Sequence, residues 1–387
     1  MFLDILRNRN PQLMEVALDL HRTGDILPDT YVIDLDAIIE NAKNLFKVAS
    51  QEGIELFYML KQIGRNPLVA QRIVAETGIQ KAVVVDYKEA LVLMSYGLKI
   101  GNVGHLVQIP TKLIEKIMRY GTDYMTVYSL EKLKEIIEIA EKLGVNQGLL
   151  LKIIEPGDCI YDGQYGGFHI SQLDVVMDLV KSSEYVHIAG ITSFPCFLFD
   201  DNQELSVTEN YKTLMRAKEA LEKKGVSDLL LNMPSATCVK TIPMIKSLGG
   251  AQGEPGHALT GTTPLHAVSD QAELPAMVYV SEVSHNLDGR AYFFGGGYYR
   301  RGHFQQVAIY QPGSRTPKKD RVYPLKDESI DYYITTHHSH EVGSTVLGAF
   351  RTQMFVTRSD VAIVSGIRNG APVLEGLYDG LGNKIRR

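Results

Sequence analysis

The first two thirds of the chain alternate between short runs of β-favouring apolar residues and longer segments whose apolar positions have helical spacing. The short runs predict eight strands, at 55–60, 81–86, 103–109, 124–129, 148–154, 187–194, 229–234 and 250–254. Amphipathic helices are predicted among them at 67–77, 88–96, 130–143, 172–181 and 207–224. Eight strand–helix units in succession predict an α/β fold, a closed (β/α)8 barrel of the TIM type.

The alternative fold is an open, doubly wound parallel sheet. Such a sheet usually has fewer strands, and a G-x-G-x-x-G turn after its first strand would support it. No turn of that kind follows the first strand here, so the barrel is preferred. Ahead of the barrel, the first 30 residues predict a helical lead-in that stops at Gly24, followed by a strand at 31–35.

The pattern changes at about Pro275. Strands with short turns are predicted at 278–280, 291–294, 306–309, 331–335, 353–357 and 361–364, and no long amphipathic helix remains. This region predicts a second, all-β domain of a usual size. We therefore expect three segments: 1–36, a helical lead-in and strand that pack with the C-terminal domain; 37–270, the barrel; and 271–387, the β-domain.

Composition and charge exclude several classes of protein. Lys+Arg number 40 against 45 Asp+Glu, and a net charge of −5 argues against a protein that mainly binds nucleic acid. No apolar run approaches the ~18 residues of a membrane span, and Asp4 and Arg7 interrupt any signal peptide. The three cysteines form no CxxC pair, so neither a disulfide framework nor a structural zinc site is expected. A cytoplasmic enzyme or binding protein is the prediction.

In a barrel of this type the active site lies at the C-terminal ends of the strands. The first strand ends at Lys61, and a partly desolvated lysine there has a lowered pKa and can form a Schiff base. A surface lysine just past the strand is the alternative. The seventh strand ends in Ser235-Ala236-Thr237, whose hydroxyls before a helix N-terminus suit a phosphate, although ordinary N-capping explains them too.

The eighth strand ends in Glu254-Pro-Gly256-His257. Gly256 would let backbone N–H groups approach an anion closely. A carboxylate beside a phosphate loop needs a cationic partner, such as a protonated ring nitrogen, unless Glu254 merely caps a turn. A Schiff-base lysine, two phosphate loops and an acid at one barrel end are together the parts expected for pyridoxal 5'-phosphate (PLP).

At these residues the chain resembles the alanine racemase-like, fold-type III PLP enzymes and, within them, the YhfX-like subfamily. The resembling segments occur in the family's order, at 31–41, 56–61, 232–237 and 254–261. The resemblance implies that Lys61 holds PLP and then acts as base at the α carbon of an amino acid. It also implies that Ser235, Ala236, Thr237, Gly256 and His257 bind the phosphate and that Glu254 faces the pyridine nitrogen.

Two departures from alanine racemase concern the chemistry. Alanine racemases have arginine where this chain has Glu254, and a carboxylate there keeps the ring nitrogen protonated and the ring a full electron sink. Glu254 therefore permits elimination, retro-aldol cleavage or decarboxylation as well as racemisation. Alanine racemases also stack a histidine on the cofactor near Ser193, and a serine cannot stack.

The resemblance further implies a homodimer in which the β-domain of the partner completes the active site with a tyrosine. The matching segment is 295–302, Gly-Gly-Gly-Tyr-Tyr-Arg-Arg-Gly, in which Tyr298 and Tyr299 are both candidates for the second acid or base. An exposed glycine-rich turn is the alternative.

A histidine cluster at 337–341 could in principle bind a metal, since imidazole and carboxylate are suitable ligands. Adjacent histidines on a strand point to opposite faces, so an exposed polar loop is the prediction and no metal is assigned. Lys152, His169 and Cys196, near strands 5 and 6, are explained by packing or exposure.

The function predicted from the sequence is a PLP-dependent enzyme acting on a small amino-acid substrate, by default a racemase, with lyase or decarboxylase chemistry left open. One alternative is a PLP-binding protein without turnover that serves vitamin B6 balance; such proteins are usually a barrel alone, so the β-domain counts against it. A metal-dependent barrel hydrolase is the third possibility. No nucleic-acid or membrane partner is expected.

Overall fold

The structure, a computed structural model, describes residues 1–200, 203–326 and 328–386, so Arg387, the end of the third predicted segment, lies outside it. The chain divides into two compact units. The barrel unit comprises Leu45–Met59 and Ile73–Pro255, and the sheet unit comprises Met1–Asn44, Leu60–Arg72 and Gly256–Arg387. The predicted segment boundaries at 36 and 270 stay predictions.

The strands, numbered along the chain, are β1 (Thr30–Asp34), β2 (Glu55–Tyr58), β3 (Lys81–Val83), β4 (Ile100–Val103), β5 (Thr122–Val127), β6 (Gln147–Lys152), β7 (Val186–Thr192), β8 (Phe197–Phe199), β9 (Leu205–Val207), β10 (Leu230–Asn232), β11 (Gln252–Gly253), β12 (Met277–Leu287), β13 (Arg290–Phe294), β14 (Gln306–Tyr310), β15 (Lys318–Arg321), β16 (Tyr333–Thr335), β17 (Thr345–Gly348), β18 (Asp360–Ser365) and β19 (Val373–Asp379). The helices are α1 (Phe2–Arg9), α2 (Pro11–Thr23), α3 (Leu35–Glu52), α4 (Pro67–Glu76), α5 (Tyr87–Ser95), α6 (Ile114–Tyr120), α7 (Leu130–Leu143), α8 (Leu173–Lys181), α9 (Glu209–Lys223) and α10 (Ile242–Ser247).

The barrel unit is a closed ring of eight parallel strands, in the order β10-β11-β2-β3-β4-β5-β6-β7. All six residues of β6 are buried, as expected for a strand covered on both faces. Local signals set the helix ends: the Ser129 side chain accepts the N–H of Lys132 at the start of α7, and left-handed Gly144 ends that helix. A small hairpin of β8 and β9 lies between β7 and α9.

The sheet unit is built on a nine-stranded, mostly antiparallel sheet. The interior strand β1 pairs antiparallel with β12 and parallel with β18. Apolar residues of α1 and α2, including Leu6 and Leu13, form a core with Val32, Val278 and Leu347 on this sheet. The predicted fold class, a (β/α)8 barrel followed by an all-β region, is confirmed.

Several predicted strands differ in detail from those observed. β4 spans Ile100–Val103 and ends where the predicted strand began. Gly101 and Asn102 interrupt its apolar run, so the hydrophobic pattern did not reveal this strand. The predicted strand at 353–357 is instead a short 3₁₀ turn, Met354–Val356. Strands β8, β9, β15, β17 and β19 were not predicted. β15 has the sequence Lys-Lys-Asp-Arg and lies at the sheet edge, where charged residues are common. None of the described helices is long and apolar enough to cross a membrane.

Candidate active site

The C-terminal ends of the barrel strands carry buried polar side chains. They are His105 after β4, Lys152 at the end of β6, Thr192 at the end of β7, Asn232 at the end of β10 and Glu254 directly after β11. Because all the strands are parallel, these ends lie at one rim of the barrel, the rim at which this architecture holds substrates. The rest of the barrel core is largely apolar, so polar burial is concentrated where chemistry is expected.

Glu254 is the most enclosed acid of this rim, with a side chain that is 0% exposed. Its Oε1 accepts a hydrogen bond from Asn232 Nδ2 at 3.0 Å, and its Oε2 lies 3.6 Å from His105 Nε2. The main-chain N–H of Glu254 donates to Thr237 Oγ1 at 3.1 Å. Glu254 is therefore held from both ends and is tied directly to the Ser235–Thr237 segment.

The Ser235–Thr237 segment is a tight turn with its central residue, Ala236, in the left-handed region at φ +57°, a conformation that residues other than glycine rarely adopt. Ser235 Oγ accepts the N–H of Phe197 at 2.8 Å, just as Thr237 Oγ1 accepts that of Glu254. Since both oxygens accept N–H groups, both hydroxyl hydrogens remain to be donated elsewhere. Such a pair of donors suits a phosphate.

The helix N-terminus that the sequence placed directly after this segment is displaced. Helix α10 begins only at Ile242, because Cys238 and Thr241 form a further turn in which the N–H of Cys238 donates to Thr241 Oγ1. The hydroxyls and the main chain of the turn, rather than a helix terminus, are thus what Ser235–Thr237 offers to an anion.

In the sheet unit, Lys61 opens a 3₁₀ turn and is 9% exposed, so it is not the surface lysine considered above. Gly256 packs against the side chain of Gln62: a Cβ on Gly256 would lie 2.6 Å from both terminal atoms of that amide. A side chain at position 256 would therefore displace Gln62. The glycine keeps the main chain of 256–257 close to the turn that carries Lys61.

His257 lies in a positive electrostatic environment within the sheet unit. Burial, and then the positive charges of Arg351, Lys61 and Arg301, hold the pKa of His257 well below its usual range. Its buried Nε2 has no hydrogen-bond partner among the described residues. A neutral imidazole surrounded by three cations indicates a site that favours an anion.

The glycine loop, residues 295–297, is clamped between two acids of the sheet unit. Asp331 Oδ2 accepts the N–H groups of Gly296 at 2.9 Å and of Tyr298 at 3.0 Å. On the other side, a Cβ on Gly296, whose φ is +132°, would lie 1.8 Å from Asp29 Oδ2, so only glycine fits. These glycines bring the main chain close to carboxylates, and in doing so fix the backbone that carries Tyr298.

Tyr299 follows directly and is only partly buried. Its hydroxyl oxygen accepts a hydrogen bond from Gln353 Nε2 at 3.1 Å, which leaves the phenolic hydrogen to be donated. Tyr298 and Tyr299 therefore both lie on an ordered loop, and the contacts within the unit do not favour one of them as the acid.

Of the two explanations that the sequence left open for Lys152, packing or exposure, the structure shows burial. Lys152 is 6% exposed, its Nζ donates to the carbonyl of Gln164 at 3.0 Å and lies 4.8 Å from the centre of the Tyr128 ring. Burial lowers the pKa of Lys152 to about 8. His169, by contrast, is half exposed, and Cys196 is a buried thiol whose pKa is raised by burial.

The histidine cluster at 337–341 is organised around one acid. His338 Nδ1 and His340 Nε2 lie 3.0 and 2.8 Å from the two carboxylate oxygens of Asp320, while His337 stacks on Tyr323. Within the described ranges, no group of three or more histidine, cysteine or acidic residues is arranged to hold a metal ion.

Two residues near the candidate site, His105 and Arg351, were not identified from the sequence. His105 was hidden because the strand was placed at 103–109, which put this side chain inside a strand rather than at its end; the correct end of β4 would have identified it. Arg351 follows β17, which was not predicted at all, and so carried no signal.

Comparison with known proteins identifies the family. The alanine racemase N-terminal domain matches residues 33–264, and the YhfX-like C-terminal domain matches residues 278–374. The uncharacterized protein YhfX of Escherichia coli strain K12 is 42% identical over 386 residues, which cover 100% of both chains.

Solved structures with the same fold have much lower identity. Alanine racemase from Clostridium difficile 630, in complex with cycloserine, is 20% identical with a TM-score of 0.64 over 92% of this chain and 99% of that one. D-threonine aldolase from Filomicrobium marinum is 15% identical with a TM-score of 0.65 over 92% of this chain and 96% of that one. The sequence matches at both ends and the shared fold show that the chain belongs to the alanine racemase-like, fold-type III family, in its YhfX-like branch.

Proposed function

We propose that this protein binds PLP covalently at Lys61 and catalyses a reaction at the α carbon of an amino acid. Racemisation is the default reaction, and elimination, aldol cleavage or decarboxylation are permitted by the same site. The observation that carries the proposal is Glu254, a fully buried carboxylate at the rim of the barrel whose oxygens face an amide donor and an imidazole.

The residues present fit PLP in their donor chemistry. Lys61 supplies a buried primary amine, and Ser235 and Thr237 each have a hydroxyl hydrogen to donate. The turn at Ala236 and the main chain of Gly256 and His257, with the positive field around that imidazole, supply the remaining donors for a phosphate. When bound, PLP supplies an electron sink for the pair of electrons released at the α carbon.

The chain's own groups then have distinct tasks. Lys61 would hold PLP and would take or return the α proton on one face. Tyr298 or Tyr299 holds a proton for the opposite face. Glu254 would keep a proton on the pyridine nitrogen of PLP, because an anion close to a base stabilises the protonated form of that base. An arginine in place of Glu254 would leave that nitrogen unprotonated.

The proposed site is compatible with both racemase and lyase chemistry. The neighbours include a racemase and an aldolase, so the shared fold accommodates both chemistries. Glu254 makes the sink strong enough for bond cleavage beyond the α proton. Both outcomes pass through loss of a bond at the α carbon, which is the step that an experiment should detect first.

The attachment of PLP is tested by borohydride reduction of the purified protein and peptide mapping. We expect the label on Lys61. Lys152 is the matched control, since it is also buried and its pKa is lowered to about 8. Label on Lys152 alone, or none on either lysine, would contradict the proposal; Lys152→Met should retain the label and Lys61→Met should lose it.

The reaction is tested by exchange of the α proton in heavy water over a panel of L- and D-amino acids. Exchange with one substrate class supports catalysis at the α carbon whatever step follows. Labelled Lys61 without exchange for any amino acid would instead support the PLP-binding protein without turnover.

We also propose that the protein is a cytoplasmic homodimer in which the partner's sheet unit completes the active site. The family resemblance and the ordered loop carrying Tyr298 and Tyr299 support the dimer. Three free thiols support a reducing compartment. Sedimentation gives the oligomeric state, and a monomer with full α-proton exchange would contradict the shared site.

A further inference from the structure

Burying the carboxylate of Glu254 completely is costly unless other groups replace the water that it loses. Two side chains of the barrel unit do so: Asn232 on one oxygen at 3.0 Å and His105 facing the other at 3.6 Å. Around them, Thr237 accepts the main-chain N–H of Glu254, and the Gln252 amide also contacts Asn232. Glu254 is thus surrounded by polar groups from the ends of three strands: β4, β10 and β11. We call these groups the framework of Glu254.

The orientation of Asn232 is fixed by its second neighbour. Thr192 Oγ1 donates to Asn232 Oδ1 at 2.8 Å, so the amide oxygen faces the threonine and the NH2 group faces Glu254. An NH2 group can only donate, and it stabilises an acceptor oxygen rather than an O–H. This side of the framework therefore favours Glu254 in its charged form.

His105 is the second side chain that faces the carboxylate of Glu254. It is 2% exposed and follows β4, and the ring of Phe194 meets it edge-on at 5.7 Å and 76°. The packing sets the plane of the imidazole, and Nε2 is the ring atom that faces Glu254 Oε2. At 3.6 Å the contact is too long for a hydrogen bond, but it is close enough for a strong electrostatic interaction in a buried place.

We propose that His105 is a positioning residue for Glu254: its Nε2–H faces the carboxylate, holds its orientation and keeps it ionised. The pairing of His105 with Glu254 concerns this chain's own residues and stands without the cofactor. Its consequence, that His105 acts through Glu254 on the pyridine nitrogen, rests on the proposed function.

The test uses infrared spectroscopy of the full-length protein labelled with 13C-carboxyl glutamate, at neutral pH. The difference between the wild type and Glu254→Gln assigns the Glu254 band. We expect an ionised carboxylate in the wild type and conversion to the protonated acid, with its higher-frequency C=O band, in His105→Phe. His105→Gln returns a side-chain N–H donor, and should restore most of the ionised band.

The chain offers a matched control in His169, whose Nδ1 lies the same 3.6 Å from Glu155 but whose side chain is 49% exposed. His169→Phe should leave the Glu254 band unchanged. A Glu254 that is protonated in the wild type, or that stays fully ionised in His105→Phe, would overturn the proposal.

A second measurement avoids dependence on a folded His105→Phe. In 15N-histidine spectra, the Nε2 signal of His105 should shift in Glu254→Gln and stay in place in Glu155→Gln; no shift in the first variant also overturns the proposal. The outcome is separable from that of borohydride labelling: an unlabelled Lys61 refutes the proposed function, whereas the infrared and 15N results decide on His105 alone.

Discussion

The two units each enclose a buried acid, and the groups that surround the two acids differ. In the barrel unit, Glu254 faces the NH2 group of Asn232 and the imidazole of His105. In the sheet unit, Asp29 accepts the hydroxyls of Tyr279 and Ser359, and Asp331 is a neighbouring acid. Burial is the main cause that raises the pKa of Asp29 to about 7. The two hydroxyls lower this pKa, the charge of Asp331 raises it, and the charge of Arg358 lowers it.

Burial acts on both acids, and both have donors that stabilise a negative charge. Asp29 differs in having a second acid, Asp331, close by, and the charge of Asp331 favours a proton on Asp29. The barrel arrangement suits an acid that must hold a charge next to a reacting group. The sheet arrangement suits an acid that can lose its charge and still hold up the glycine loop.

The largest expected effect comes from reversing the charge of the barrel acid. Under the proposed function, Lys61 and the phosphate donors would still hold PLP in Glu254→Arg, so this variant should retain the cofactor while α-proton exchange falls on the order of 100-fold. Elimination or decarboxylation should suffer more than racemisation, which needs only a fleeting carbanion. Undiminished α-proton exchange in this variant, or in the milder Glu254→Gln, would contradict the role assigned to the charge of Glu254.

A smaller effect is expected when the clamp on the glycine loop is removed. Asp331 binds two loop N–H groups and lies 3.1 Å from Arg358 Nη1, so Asp331→Ala should lower the free energy of unfolding by about 3 kcal/mol. The urea midpoint measures this loss. Asp174→Ala, which removes an exposed ion pair with Lys224, is the control and should cost less than about 0.5 kcal/mol.

The sheet acid should show itself in the pH dependence of stability. With a pKa near 7 when folded and an ordinary value near 3.8 when unfolded, the folded protein binds more protons between these values, so this group's contribution falls as the pH rises from 4 to 7. Asn tolerates the left-handed backbone of Asp29, at φ +64°. As the pH is raised from 5 to 8, the free energy of unfolding of Asp29→Asn should therefore rise by about 2 kcal/mol relative to that of the wild type. Equal slopes for the two proteins in this range would contradict the assignment.

The smallest effect is expected at Lys152, a buried amine whose surroundings differ from those of both acids. Within the described part of the chain, Lys152 contacts a carbonyl and an aromatic ring but no carboxylate within 4 Å. Its pKa of about 8, against 10.5, means that the folded protein is destabilised by this charge below pH 8 and recovers as the pH rises toward 10.5. The lowered pKa corresponds to about 3 kcal/mol, of which the loss of the Gln164 hydrogen bond and the Tyr128 contact offsets a part. Lys152→Met should therefore raise the free energy of unfolding at pH 7 by about 1 kcal/mol, and this gain should disappear before the pH reaches 10.5. Lys212→Met, at an exposed site, should change little.

Much of the barrel could be predicted because its signals are local. Each strand is a short apolar run, each helix has its own periodicity, and Glu254 follows its strand directly in the sequence. His105 was lost through a local error in the end of β4, and the polar edge strand β15 through the absence of any apolar pattern. These failures follow from using hydrophobicity as the signal for strands.

The acid cluster of the sheet unit could not have been predicted in this way. Asp29 and Asp331 are about 300 positions apart, and neither lies in a motif. They meet around Gly296 only because β1 and the C-terminal strands share one sheet. The three glycines at 295–297 stand out in the sequence, but the carboxylates that they approach are set by tertiary structure alone.

The interior place of β1 in the sheet has a consequence for how the protein is made. β1 emerges early from the ribosome, yet its two neighbours, β12 and β18, begin at Met277 and Asp360. At about 5–20 residues per second, the apolar strand Thr30–Asp34 waits on the order of half a minute for partners that the ribosome has not yet synthesised. Throughout that interval its unpaired edges can join other nascent chains, so the yield of native protein should depend on chaperones that cover the first strand during translation.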